Sequence, residues 1–177
     1  MGSIGRFIQS SAVVLGTGIS TDDVQLSRKA TYVSVRGPLT AGALKASKGP
    51  EVTAFGDPGI VISKIFPVKR NKTNGRGVLV RHFSHSSANL KLPSKVDELS
   101  VMMSRPQDIE DFVHKLNEYD YVITSAMHVM ITCHSYGIPC ALVTFEGYEE
   151  NVHGSGIKYE DYALGAGVEV MNPVVLQ

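Results

Sequence analysis

The chain has 177 residues, 43% of them hydrophobic, and balances 17 Lys+Arg against 17 Asp+Glu. That length supports a real core, and that hydrophobic share argues against wholesale disorder. The neutral balance gives no electrostatic case for nucleic acid as a partner, and no apolar run reaches the roughly 20 residues of a membrane span. Cys133 and Cys140 form no C-x-x-C, so their spacing supports neither a structural zinc nor a redox pair. They read as buried free thiols in a reducing compartment.

Strand and helix signals alternate along the chain. Residues 12–15 are a short apolar run closed by Gly16-Thr17-Gly18. This is a lone GxG without the third glycine of a dinucleotide fingerprint. Residues 31–35 are β-branched and aromatic, a strand signal, and Gly37-Pro38 then opens a helix. Leu39, Ala43 and Leu44 give that helix its apolar face, and Gly49-Pro50 stops it. A short strand over 52–55 empties into Gly56-Asp57-Pro58-Gly59, and 69–76 is polar and turn-rich.

Residues 77–80 predict another strand, followed by Arg81-His82-Phe83-Ser84-His85. A strand is expected over 98–103, and Ser104 with Gln107 resembles a capping box. Ile109, Phe112, Val113 and Leu116 then recur at helical spacing. Residues 121–123 and 141–143 predict two more strands. Between them a short helix is expected, with Ser125 as N-cap, His128 at its third position and Gly137-Ile138-Pro139 at its end. The tail holds Gly154-Ser155-Gly156 and then Lys158-Tyr159-Glu160-Asp161-Tyr162.

Uniformly apolar strands alternating with helices predict an α/β fold, a mostly parallel Rossmann-like sheet with helices on both faces. Ligands in such folds bind beyond the carboxyl ends of the strands. Arg36, Asp57, Arg81 with His82, and Ser125 with His128 all fall there. Arg36 either offers a guanidinium fork to a carboxylate or phosphate, or pairs with a nearby acid. Asp57 sits in a plain turn or holds Arg36 or a substrate hydroxyl. His82 and His85 have HxxH spacing with no third ligand at matching spacing, so a loop lining a polar acceptor site is favoured over a metal. Ser125 caps a helix and His128 packs, or the two serve an anion and a proton transfer. No P-loop, HExxH or GxSxG occurs.

Four segments in order resemble the polysaccharide pyruvyltransferase family. Val33-Ser34-Val35-Arg36-Gly37-Pro38-Leu39-Thr40 resembles its S-V-R-x-P-x-S/T element, and Gly56-Asp57-Pro58-Gly59 its G-D-P element. Val122-Ile123-Thr124-Ser125-Ala126-Met127-His128, with Gly137-Ile138-Pro139 behind it, resembles S-R-L-H and the following G-I-P. Lys158-Tyr159-Glu160-Asp161-Tyr162 resembles the closing lysine and aspartate-aromatic segment. The match covers about residues 12–170.

The resemblance implies the C-terminal domain of a two-Rossmann-domain, GT-B type glycosyltransferase fold. On that reading residues 1–177 are one Rossmann-like domain, with 1–28 a hinge or remnant of an N-terminal domain. It implies transfer of the enolpyruvyl carbons of phosphoenolpyruvate onto two hydroxyls of a saccharide in exopolysaccharide or cell-wall glycan synthesis, with release of phosphate. His128 would be the general acid toward the donor methylene. Arg36, Ser125, Asp57, Arg81, His82 and Lys158 would bind substrate, with no metal and no cofactor. The expected partners are phosphoenolpyruvate, a saccharide acceptor that can be lipid-linked, and a partner domain or second copy. The expected location is cytoplasmic, including the inner face of the membrane.

One departure stands out: Ala126 occupies the position of the arginine in S-R-L-H. Two alternatives therefore stay open, a non-catalytic or partial donor-binding subunit and a nucleotide-sugar-binding glycosyltransferase domain.

Overall fold

The computed structural model describes residues 2–70, 72–149, 156–170 and 172–177; the Gly154-Ser155 pair of the tail lies outside them. In chain order the elements are β1 (Val13–Thr17), β2 (Thr31–Val35), α1 (Pro38–Ala46), α2 (Ile62–Ile65), β3 (Gly77–Val80), β4 (Val96–Leu99), α3 (Pro106–Leu116), β5 (Tyr121–Thr124), α4 (Met127–Tyr136), β6 (Cys140–Phe145), α5 (Ile157–Ala166) and β7 (Val174–Leu176). They fall into two compact units, Met1–Pro58 with His153–Met171 and Gly59–Val152 with Asn172–Gln177. Among the described residues no helix is long and apolar enough to cross a membrane.

In the first unit β1 and β2 pair in parallel. The strand expected over 52–55 contributes a single parallel bridge, Val35 to Phe55, with the Val35 N–H donating to Ala54 O and the Gly56 N–H to Val35 O. The Gly56-Asp57-Pro58 turn ends it before a ladder develops. Pro38 at the first turn of α1 costs no hydrogen bond there. Ile19, Leu26, Val35, Leu44 and Val52 form the core of this unit, so residues within 1–28 belong to it.

The second unit is a five-stranded sheet in the order β4-β3-β5-β6-β7, every pair parallel. All four residues of β3 are buried, as a central parallel strand requires. Val78, Val80, Leu116, Val122, Val129 and Cys133 make one core of this unit. Leu79, Ala88, Val143 and Phe145 make another. The Rossmann-like α/β expectation holds. The chain runs from β3 out to β4, then returns through α3 to β5 on the opposite side of β3. The order therefore reverses between β3 and β5, the place where open parallel sheets bind ligands.

Two local expectations need correction. The strand expected over 98–103 is Val96–Leu99, because β4 keeps register with β3 and β3 ends at Val80. The cap of α3 is built on Arg105 and Asp108 rather than Ser104 and Gln107: the Asp108 carboxylate accepts from the N–H groups of Ser104 (3.0 Å) and Arg105 (2.9 Å). A carboxylate accepts both N–H groups at once and complements the helix dipole, which a glutamine at Gln107 would not do as well.

Candidate functional site

The turn after β5 is set by Thr124. Its side chain is fully buried. Its hydroxyl donates to Val80 O (2.7 Å) and accepts from the Ala126 N–H (3.0 Å). One side chain thus ties the ends of the paired strands β3 and β5 together and turns the chain out of the sheet. Ser125 extends the seam: its N–H donates to Val80 O, and its hydroxyl oxygen accepts from the His82 N–H at 2.9 Å.

The helix cap differs from the sequence expectation. Ala126, not Ser125, is the N-cap of α4, and His128 is the second helical residue rather than the third. Ser125 is spent on the neighbouring loop, so no side chain caps the helix, and the positive end of its dipole is left for another anion. Met127 and residues 129–133 are buried, whereas His128 is exposed. The single polar ring of the first turn therefore stands at the solvent side of the switch point.

His82 follows β3. The Ser84 N–H donates to its Nδ1 (3.3 Å), and Ser84 Oγ lies 2.7 Å from the same atom. A nitrogen that accepts from a backbone N–H carries no proton, so these contacts assign the neutral ring a proton on Nε2. His85 turns the other way. It is fully buried against Phe145 and Tyr148, with Nε2 donating to Tyr148 O at 3.1 Å. The HxxH spacing thus serves one loop ring and one core ring.

Arg81 grips Glu98 with Nε and Nη2 (2.6 and 2.8 Å) and donates from Nη1 to Ala88 O. The hydrogen bond to Glu98 raises its pKa further above the usual range. All three nitrogens are engaged within the protein. A cavity of about 630 Å³ opens beside this pair and His82, with Phe83 and Met102 on its walls.

The remaining candidates lie in the first unit. Arg36 is fully buried. Its Nε donates to Asp161 Oδ2 (3.1 Å), Nη1 to Ser3 Oγ (2.7 Å) and Nη2 to Ile19 O (2.6 Å). The Asp161 carboxylate also accepts from the Thr40 N–H (2.9 Å) and hydroxyl (2.6 Å). Burial pulls the Arg36 pKa down, opposed by Asp161 and Asp57. The guanidinium is a clamp between β2, α1 and α5. Gly18 makes room for it, because a Cβ there would stand 2.2 Å from Arg36 Cζ. Gly16 is left-handed, with φ of 65°, and lies against Gly56. The lone GxG is therefore a packing device.

Asp57 is buried, 1% exposed. Lys158, in the first turn of α5, is half-buried; burial, and then the Arg36 charge, lower its pKa to about 8.

Sequence reasoning placed Thr124 in the site segment without its role as the tie between strand ends, and it missed Glu98 and the Asp161–Thr40 partners of Arg36. Thr124 carried a local signal, a hydroxyl at a strand end. Glu98 and Asp161 lie 17 and 125 residues from the arginines they hold, beyond the reach of local pattern.

The fold and the seam define a parallel α/β protein with a polar, helix-terminated site at its switch point. The polysaccharide pyruvyl transferase family matches residues 4–146, and the chain belongs to that family. Among curated proteins it is similar to an uncharacterized protein, L143, of Acanthamoeba polyphaga mimivirus. The two are 26% identical over 174 residues, 96% of this chain and 60% of that protein. The chain thus spans about three-fifths of the length of that relative. No solved structure matches it.

Proposed function

We propose that the chain takes part in pyruvyl transfer from phosphoenolpyruvate to a saccharide, with the donor held at the switch point between β3 and β5. The observation that carries this reading is His128, the exposed ring on the first turn of an otherwise buried α4. Protonated beside a bound phosphate, His128 donates its proton to the donor methylene, which becomes the methyl group. The electron-deficient C2 is attacked by one sugar hydroxyl. The second hydroxyl then displaces phosphate and closes the ketal. The uncapped end of α4 supplies N–H groups and dipole to the anion.

The burial of each candidate sorts the roles. His128 and His82, both in the second unit, contact substrate. Ser125, Arg36, Asp57 and Arg81 are buried or paired and position the groups around them. This activity would place the protein in the cytoplasm, at the inner membrane face where the acceptor is lipid-linked.

Incubation with phosphoenolpyruvate and a panel of nucleotide-linked and lipid-linked sugars in D₂O tests the reading. Phosphate release and a singly deuterated ketal methyl are expected, both lost in His128→Ala while the folded spectrum persists. Full transfer by His128→Ala would remove His128 from the chemistry.

A second reading is favoured by Ala126. It is 7% exposed and sits in the core cluster of the second unit, so no cation stands where the family motif has arginine. On that reading the chain binds donor without transferring it. Saturable phosphoenolpyruvate binding with no phosphate release across the acceptor panel would select it.

A further inference from the structure

We propose that the cavity at the carboxyl ends of β3 and β4 is a saccharide subsite, with a pyranose ring laid on Phe83 and its hydroxyls donating to the Glu98 carboxylate. The cavity measures about 630 Å³, within the ordinary range for a small-molecule site. Its use as the acceptor's place rests on the transfer reading above, while its binding can be measured with no donor present.

Phe83 forms the aromatic wall. A single exposed apolar residue needs no explanation; one held rigidly on the wall of a polar cavity does. Phe83 is 64% exposed and opens a short 3₁₀ turn over Phe83–His85 that is fastened at both ends. At its start the Ser84 N–H donates to His82 Nδ1 (3.3 Å), and the His85 N–H donates to His82 O (2.9 Å). At its end the buried His85 ring is anchored on Tyr148 O (3.1 Å). The His82 ring steadies Phe83 from one side, with centroids 4.3 Å apart and planes inclined by 35°.

Glu98 supplies the polar wall. Arg81 holds it with two parallel bonds, Nε to Oε1 at 2.6 Å and Nη2 to Oε2 at 2.8 Å. The carboxylate plane is therefore fixed before any ligand arrives. Each carboxylate oxygen has two acceptor lobes, and Arg81 takes one on each. The Glu98 side chain is 40% exposed, so hydroxyl donors can reach the others. On the same wall Ser100 Oγ accepts from the Met102 N–H (3.1 Å) and keeps its own proton to donate.

These parts select a neutral, hydroxyl-rich ring. Arg81 answers the Glu98 charge and gives its third nitrogen to Ala88 O, so the cavity offers no guanidinium fork to a phosphate or carboxylate. A pyranose has an apolar face of C–H groups, attracted to the negative face of an aromatic ring, and a rim of hydroxyls that donate outward. Phe83 fits the face and Glu98 the rim. Position agrees: the His82 N–H donates to Ser125 Oγ (2.9 Å), which ties the cavity wall to the turn that opens α4.

The test titrates methyl glucopyranoside, galactopyranoside and mannopyranoside into the intact ¹⁵N-labelled chain. Uracil, a flat ring without hydroxyls, and phosphoenolpyruvate are titrated separately. At least one glycoside should saturate in about the millimolar range, with amide shifts concentrated in residues 81–86 and 98–102. Phe83→Ala should weaken it at least about fivefold, and Phe83→Tyr, which keeps the ring, should not. Glu98→Gln should weaken it about tenfold. Should a variant fail to fold, the shift map of the unmodified chain decides. Glycoside shifts at these residues with no response to phosphoenolpyruvate would sink the donor reading and leave the subsite standing. The subsite is overturned by saturation with phosphoenolpyruvate but no glycoside response below about 50 mM. Glycoside shifts elsewhere in the chain, equal affinity in Phe83→Ala, or binding of uracil alone would overturn it as well.

Discussion

Thr124 makes the tightest link between one side chain and the geometry of the site. Its hydroxyl serves Val80 O and the Ala126 N–H at once, so Thr124→Val, which keeps the shape, leaves the buried Ala126 N–H without its acceptor and Val80 O with only the longer Ser125 N–H bond. A loss of about 1–3 kcal/mol is expected, read as a lower urea midpoint at constant slope. Ala126 invites the opposite experiment, because Ala126→Arg restores the family motif. Its Cβ, however, faces the cluster of Val78, Val80 and Val129. An arginine there must overfill the core or push α4 aside. Ala126→Arg is expected to destabilise by roughly 2–4 kcal/mol without strengthening phosphoenolpyruvate binding. A gain in donor affinity with no loss of stability would show that the side chain escapes to the site. Sequence alone located this turn but shifted its cap by one residue. A hydroxyl before a helix is normally its cap, and only the His82 loop, 43 residues away, shows why Ser125 is otherwise engaged.

At the scale of elements, α1 and α5 approach backbone to backbone. A Cβ on Gly165 would lie 2.0 Å from Arg36 O, and one on Gly37 would lie 1.8 Å from Asp161 O. Backbone cannot swing away as a flexible side chain can, so Gly165→Ala is expected to cost about 2 kcal/mol or more, against the slight gain of an ordinary helical Gly→Ala change. The Arg36–Asp161 pair sits in the same contact. Asp161→Asn leaves a buried guanidinium poorly compensated and should cost about 3–5 kcal/mol. Lys158, on α5, gives a pH signature. Its folded pKa, about 8, lies below its ordinary value of 10.5. Between those two values the unfolded chain binds more protons, so stability should rise with pH across that window and flatten beyond it. Lys158→Met should abolish the rise.

Elements were largely legible before any coordinates. β2 and β3 match the expected spans because a β-branched and aromatic run ending at Arg36, and an apolar run opening at Gly77 and ending at Arg81, leave little choice. The strand expected over 52–55 failed because a ladder also needs a partner in register, and the Gly56 turn removes it.

For the whole molecule, alternation of strands and helices was enough to foresee the parallel sheet, and four short motifs in order pointed to the family that residues 4–146 match. Strand order was not legible, and strand order is what makes the ends of β3 and β5 the switch point. The division into two units was equally hidden, since residues 153–171 join the first unit after the chain has built most of the second. The candidate site was legible as a set of residue types and not as contacts: Arg36 and Arg81 read as anion contacts, and each holds a partner that sequence distance concealed. Phosphoenolpyruvate bound as donor at the first turn of α4 is the central proposal. Calorimetric titration of phosphoenolpyruvate against the intact chain, with His128→Ala and His82→Ala alongside, tests it most directly. Saturable one-site binding in about the micromolar-to-millimolar range is predicted, weakened about tenfold or more in each variant. No saturation up to about 10 mM, well above that range, or equal affinity in all three proteins, would contradict it.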